Sequence, residues 1–250
     1  MNSPSVLSDR YSDYDQFAWF YNRHWGNSFT PRVLPILERL VLPHVSDKGS
    51  ILDLCCGTGQ LANALHGKGY AVTGIDSSEE MLRLARENAP GVRFFCADAR
   101  RFELPDRFQA VLSHFDSLNH VMEIEELKQV FGRVHAVLAK DGEFFFDLNM
   151  EEGFKVRWKN QSSIVDEQSV CLMRPAYSPE ERTASLDLTL FQRINQHWAR
   201  TDLRLTQRAY MVDEIRSALK AAGFSRIEEY DSSADLVSRE IGRMFFRAKQ

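Results

Sequence analysis

The sequence predicts an α/β protein: a doubly wound, seven-stranded, mostly parallel sheet with an antiparallel β-insertion after the fifth strand. Three observations carry this. Between residues 50 and 149, short apolar runs alternate with amphipathic stretches at the spacing of strand–helix units. From about residue 151 to 208 that rhythm stops, and Ser185-Leu186-Asp187-Leu188-Thr189-Leu190-Phe191 alternates with period two, as a half-buried antiparallel strand does. A further helical stretch and two more strands, near 224–230 and 244–248, then close the chain.

In chain order, Tyr14, Phe17, Ala18, Tyr21 and Trp25 form an aromatic stripe at helical spacing. Thr30-Pro31 caps and opens a second helix running to about Leu42. Ile51-Leu52-Asp53-Leu54 is the first strand. It ends at Cys55-Cys56-Gly57-Thr58-Gly59, and Gln60 to His66 reads as a helix opening. Ala71 to Ile75 is a second strand, ending at Asp76. Ser77 or Ser78 caps the helix that follows, with Met81, Leu82 and Ala85 as its apolar stripe, until Pro90-Gly91 breaks it. Residues 92–96 are a third strand, ending at Asp98, and residues 108–113 a fourth. Leu127, Val130, Phe131, Val134 and Leu138 share one face of a helix over 123–138. Asp141-Gly142 turns the chain into Phe144-Phe145-Phe146, the fifth strand, apolar on both faces as a covered parallel strand is. Within the insertion, residues 175–181 read as a loop. Residues 211–222 return to helix and stop at Gly223. The organisation expected is a helical cap over 1–45, a core over 46–150 and 209–250, and a β-rich lid over 151–208.

Composition excludes several function classes. The chain has 250 residues, 26% of them charged, with a net charge of −4, so no broad basic face for nucleic acid is expected. No apolar run approaches the roughly 20 residues of a membrane helix. Residues 1–10 are polar and lack a signal core. Cys55, Cys56, Cys96 and Cys171 match no zinc spacing, so no metal is expected, and their sparse use suits a reducing cytoplasm. A monomer or homodimer is expected.

Gly57-Thr58-Gly59-Gln60-Leu61-Ala62 fits GxGxxA between a strand and a helix. There the backbone approaches a ligand closely and the helix start favours negative charge. Alone it also fits a dinucleotide site, with Asp76 on a ribose, and hence an NAD-dependent oxidoreductase. Two features point elsewhere. Asp53, four residues before Gly57, suits a cationic ligand and repels a pyrophosphate. Asp76 and Asp98 end successive strands, where open α/β sheets bind ligands.

With these residues the chain resembles the class I S-adenosylmethionine-dependent methyltransferases, whose fold is Rossmann-like. The resemblance lies in residues 51–59, in Val72-Thr73-Gly74-Ile75-Asp76-Ser77-Ser78-Glu79-Glu80-Met81-Leu82, in Cys96-Ala97-Asp98-Ala99 and in Phe108-Gln109-Ala110-Val111-Leu112-Ser113. Cys55 replaces the first glycine of the family's loop, and its small size is expected to preserve the loop's shape. Phe115-Asp116-Ser117-Leu118-Asn119-His120, Phe146-Asp147-Leu148-Asn149 and Gln207-Arg208-Ala209-Tyr210 look like the branch with a β-insertion lid. Glycine N-methyltransferase-like and aminosugar N-methyltransferase-like enzymes share that architecture, and the branch mostly methylates small molecules. The resemblance implies S-adenosylmethionine as cofactor and methyl transfer to nitrogen or oxygen of a small acceptor. It implies that Asp53, Cys55, Gly57 and Gly59 hold the methionine part and that Asp76 accepts the ribose hydroxyls. Ser77 and Met81 flank sugar and adenine, Asp98 and Ala99 meet the adenine amino group, and Ser113 and Phe115 lie beneath the sulfonium. Tyr14 and Tyr21 cover the cofactor. His120, Asn119 and Tyr14 are candidate catalytic groups, and Asp116, Asn149 and Tyr210 candidate acceptor contacts. For His120 both proton abstraction and orientation stay open; for Tyr210, both substrate contact and bracing the lid. A silent S-adenosylmethionine sensor or partner subunit is the alternative function.

Overall fold

The structure, a computed structural model, describes residues 14–236 and 240–250. The polar stretch at residues 1–10 and the first residues of the expected helical cap lie outside them. Helices α1 (Tyr14–His24) and α2 (Gly26–Leu40) precede the sheet. The strand–helix alternation follows as β1 (Ser50–Leu54), α3 (Gln60–Gly67), β2 (Ala71–Asp76), α4 (Glu79–Asn88), β3 (Arg93–Cys96), β4 (Phe108–Ser113), α5 (Ile124–Val137) and β5 (Leu138–Asn149). The insertion comprises α6 (Glu151–Arg157), β6 (Ser162–Val165), β7 (Ser169–Ser178), β8 (Thr183–Ile194) and β9 (His197–Arg208). Helix α7 (Val212–Ala221) and strands β10 (Arg226–Asp231) and β11 (Arg243–Lys249) return to the core.

The large sheet has seven strands in the order β10-β11-β5-β4-β1-β2-β3. Strands β1 to β5 run parallel, β11 is antiparallel to β5, and β10 is antiparallel to β11. The order reverses between β1 and β4, and the crevice beyond the carboxyl ends of strands at such a reversal is where ligands bind in open α/β sheets. The consecutive phenylalanines of β5 serve both faces. Phe144 and Phe146 pack with α5 and α7, while Phe145 joins Phe245 and the residues of α2 and α3. The insertion forms a separate four-stranded antiparallel sheet, β6-β7-β8-β9. Helix α1 bridges the two sheets: Phe17 and Phe20 pack on Leu188, Leu190, Leu203 and Leu205 of the insertion, and Ala18 packs on Met81 and Leu84 of α4.

Three local expectations are corrected. Helix α2 begins at Gly26, so Thr30-Pro31 lies inside it, as does Pro35. Its buried stripe of Phe29, Val33, Ile36 and Leu37 starts ahead of Pro31, and burying that stripe outweighs the two missing donors. Pro175 belongs to β7 and pairs with Leu186. Strand β6 stops opposite Met173, so β7 is an edge at Pro175 and the missing N–H leaves no gap in a ladder. Strand β5 starts at Leu138 and runs through the Asp141 turn with a register shift, and α6, unforeseen in the sequence, opens the insertion.

Candidate active site

The loop after β1 keeps the shape that its sequence implies. Cys55 takes φ +61°, Gly57 +54° and Gly59 +81°, so the cysteine adopts the left-handed conformation a glycine would hold more cheaply. A methyl added at Gly57 would project to 3.7 Å from the Tyr21 ring, into the space the bare backbone leaves open. The Asp76 carboxylate clasps this loop: Oδ2 accepts from the Gly57 N–H and Oδ1 from the Ser78 N–H, both at 2.9 Å. Ser78, not Ser77, caps α4, its Oγ accepting from the Met81 N–H at 3.1 Å. Burial raises the Asp76 carboxyl above the usual carboxylate range, partly offset by these backbone N–H groups. Asp53, also buried and beside Asp76, is pushed up to about 7. It accepts from the Ala62 N–H at the start of α3, and its Oδ2 has no partner.

A cavity of about 490 Å³ opens beyond these strand ends, between them and the insertion. Tyr14, Tyr21, Cys55, Gly57, Asp76, Ser77, Met81, Asp98, Ala99, Phe115, Asp116, His120 and Asn149 all line it. The structure does not bring Asp53, Gly59, Ser113, Asn119 or Tyr210 to its wall. Gly59 instead meets Ala85 and Phe94, where a Cβ would lie 3.0 Å and 3.2 Å from their atoms. Asn119 is fully buried: its amide donates to the Asn149 and Arg208 carbonyls at 2.9 and 2.7 Å and accepts from the Asn149 N–H at 2.9 Å. With its amide committed to backbone, it is a latch between β5 and β9, which corrects its assignment as a catalytic group. Tyr210 is likewise buried, its hydroxyl donating to the Val121 carbonyl and its ring under the Arg208 guanidinium at 4.9 Å. It braces the insertion's return and lies off the cavity wall.

Asp98 is at the wall but engaged. Arg100 grips both of its oxygens, from Nη2 to Oδ2 at 2.6 Å and from Nε to Oδ1 at 2.9 Å. Burial pushes this carboxyl up, and the Arg100 hydrogen bonds outweigh that and hold it below the usual range.

At the other end of the cavity a hydrogen-bonded chain crosses from α1 to β9. His120 Nδ1 donates to the Thr206 carbonyl at 2.7 Å, which leaves Nε2 as the acceptor. The Tyr14 hydroxyl donates to it at 3.1 Å, and Gln207 Nε2 lies 3.2 Å from it and donates to Asp116 Oδ2 at 2.6 Å. Burial holds the His120 imidazole below its usual range, only partly countered by Asp116, so it is neutral. Burial and the neighbouring Asp116 and Asp76 carboxylates push the Tyr14 phenol up, so it stays a donor. Gln207 Oε1 is buried without a partner.

Asp116 and Phe115 both have positive φ, +49° and +62°. Their N–H groups donate to the buried Asp147 carboxylate at 3.1 and 2.9 Å, and the Arg243 guanidinium bridges Asp147 and Asp116. Arg243, Arg32, Arg157 and Gln207 also line the cavity; the three arginines went unread in the sequence, and Gln207 enters there only within the Gln207–Tyr210 run. They come from β11, α2, α6 and β9, so no local spacing announces them. Among the described residues, no group of three or more His, Cys, Asp or Glu side chains is placed to hold a metal ion, and no helix is long and apolar enough to cross a membrane.

Comparison with known proteins bears on this site. A family model described as a methyltransferase domain matches residues 51–142. The Bacillus subtilis protein YqeM, provisionally named a methyltransferase, is 31% identical over 215 residues, covering 82% of this chain and 85% of its own. The dTDP-3-amino-3,6-dideoxy-alpha-D-glucopyranose N,N-dimethyltransferase of Streptomyces fradiae is 35% identical over 106 residues, 42% of each chain. Among solved structures, an S-adenosylmethionine-dependent methyltransferase from Clostridium acetobutylicum superposes with a TM-score of 0.77 at 25% identity, covering 94% of this chain and 98% of that one.

Proposed function

Because the chain belongs to the S-adenosylmethionine-dependent methyltransferases, we propose that it methylates a nitrogen or oxygen of a small-molecule acceptor held between the strand ends and the lid. The observation that carries this is the single cavity walled by Gly57, Asp76, Ser77 and Asp98 on one side and by Met173, Leu186, Leu205 and Gln207 of the insertion on the other. The cofactor supplies a methyl group already activated by its sulfonium.

The chain's residues then divide the work. Gly57 and Cys55 give the methionine part its seat, and Asp76, with two lone-pair sites left by Gly57 and Ser78, takes the ribose hydroxyls. Ser77 and Met81 flank the sugar and adenine, and Asp98 with Ala99 meets the adenine edge. The bare backbone at Gly57 and the open carboxylate of Asp76 fit such a ligand. Phe115, stacked on Phe29 at 4.8 Å, forms part of the floor, and Tyr14 and Tyr21 cover it. Residues 151–208 act as the lid and the α1 region as the cap. In-line displacement needs alignment and the exclusion of water rather than a strong acid or base.

Nitrogen is the preferred acceptor atom. Gln207 Oε1 and Asp116 present acceptors suited to N–H groups, and the Streptomyces fradiae relative is named for an amino sugar. Neutral His120 orients that acceptor through the Tyr14–Gln207–Asp116 chain. The test is release of S-adenosylhomocysteine from the purified protein over a panel of amines and hydroxy compounds. Tight cofactor binding with no turnover across the panel would select a sensor instead.

A further inference from the structure

We propose that the acceptor carries an anionic group, a carboxylate or a phosphate, and that Arg157 binds it; this rests on reading the cavity as the acceptor site. Four guanidinium groups line that cavity, and Arg100 is matched by Asp98 and Glu126. Arg243 is matched by Asp147, Asp116 and Glu240, and Arg32 by Glu240. Arg157 differs. Its partners are neutral oxygens, the Ile241 carbonyl at 2.5 Å and Asn149 Oδ1. Among the described residues no carboxylate lies within ion-pair distance of it. Burial, with the nearby Arg243 charge, holds this guanidinium below its ordinary range, and the Asp116, Glu240 and Asp147 carboxylates, none of them within ion-pair distance, offset this only in part. Taking a charge out of water without a paired counter-charge is costly, so a partner from outside is favoured at this position.

The placement of Arg157 is built into the backbone. A Cβ on Gly242 would lie 2.0 Å from the Gly153 nitrogen, and one on Gly153 would lie 2.7 Å from the Gly242 carbonyl and 2.9 Å from Arg157 Nη2. Gly242 also has φ +72°. Helix α6 thus rests directly on the turn before β11, and the Met150 N–H donates to the Gly242 carbonyl at 2.8 Å. Any side chain at either glycine would push α6 away and withdraw the guanidinium from the wall. Guanidinium donors remain for a planar or tetrahedral anion, which arginine grips with paired N–H bonds. Gln207 Oε1, buried and unpartnered on the same cavity, offers an acceptor to an amine on the same molecule.

The test titrates inorganic phosphate and acetate, at constant ionic strength, into the full-length protein with and without saturating S-adenosylhomocysteine. Isothermal calorimetry reads both the anions and the nucleoside, and thermal melting checks folding. Wild type should bind one anion saturably. Arg157→Gln should weaken it at least about tenfold, Arg157→Lys should retain part of it, and neither should alter S-adenosylhomocysteine affinity. Tighter phosphate assigns a phosphorylated acceptor, and tighter acetate a carboxylate. Absence of saturable anion binding, or equal binding by folded Arg157→Gln, would overturn the proposal while leaving the acceptor-site reading intact. Failure of S-adenosylhomocysteine to bind would instead strike that reading, and the titration without it would still decide the anion site.

Discussion

Removing the Asp76 carboxylate should cost the protein most of its grip on S-adenosylmethionine. The two oxygens offer about four lone-pair sites. The Gly57 and Ser78 N–H groups fill two of them, each at 2.9 Å, and two remain toward the cavity. A hydrogen bond to a carboxylate is worth about 1.5–3 kcal/mol, but the released ribose hydroxyls find water in an open cavity, so the lower part of the range applies to the pair. Asp76→Ala should therefore weaken binding by about 2–3 kcal/mol, or about 30- to 150-fold in Kd. Asp76→Asn is not a mild control here. Each oxygen already faces a backbone N–H, so the amide NH2 opposes one of them whichever way it turns, and the glycine loop loosens as well. Because burial raises this carboxyl, binding should also fade on acidification at a higher pH than for an exposed aspartate. The assay is calorimetry with S-adenosylhomocysteine, alongside melting curves of the ligand-free proteins. A folded Asp76→Ala variant that binds within about threefold of wild type would refute the assignment of this carboxylate to the ribose.

Further outcomes are expected. Asp53 is pushed up to about 7, so between about pH 4 and 7 the folded state holds a proton that the unfolded state has lost, and this group's contribution to stability declines as pH rises through that window. Asp53→Asn should flatten that decline and raise the unfolding free energy relative to wild type at pH 8 more than at pH 5, by at least about 1 kcal/mol, read by denaturant titration at both. Tyr210→Phe should lose about 1–2 kcal/mol of stability in denaturant titration, with S-adenosylhomocysteine affinity and acceptor KM unchanged. Asn119→Ala, which strips three backbone partners, should cost more, about 2–4 kcal/mol. For His120→Asn and Tyr14→Phe, orientation predicts a kcat scaled down about tenfold with its acid limb preserved. A loss of about 10²–10⁴ in kcat with disappearance of that limb in His120→Asn would identify His120 as a base.

The half of the cavity walled by strand ends was legible in the sequence because it is local. Each of Gly57, Asp76 and Asp98 sits at the end of its own apolar run, so finding the strands found the crevice. The opposite half, which we propose holds the acceptor, was not legible. Arg32, Arg157, Gln207 and Arg243 become neighbours only when α2, α6, β9 and β11 meet, and their types are ordinary surface types until then. Adjacency also misled: Asn119 lies next to His120 in the chain, yet one side chain turns to backbone inside the protein and the other to the cavity. The prolines misled for a different reason. Pro31 and Pro175 are local breakers, and burial of the α2 stripe and the vacant edge of β7 removed the cost that a local reading assigns them.

Helix α1 explains how two halves with separate origins act as one cavity. It carries no carboxylate or imidazole to the wall; its Tyr14 and Tyr21 line the space and its Phe17 and Phe20 are fully buried against the insertion. On its other face Asp15 accepts from the Ser78 hydroxyl at 2.6 Å, and the Ser78 N–H in turn donates to Asp76. At its far end His24 Nε2 lies 3.2 Å from Ser169 Oγ of the insertion. The helix thus reaches the Asp76 carboxylate through two hydrogen bonds by way of Ser78, and the insertion through an aromatic contact. A methyl group leaving a sulfonium has to be kept from water, and on the proposed reading a cover packed against both sides serves that need. Aromatic packing suits the lid side, since it is non-directional and tolerates small shifts. The Asp15–Ser78–Asp76 hydrogen bonds suit the cofactor side, where geometry has to be held.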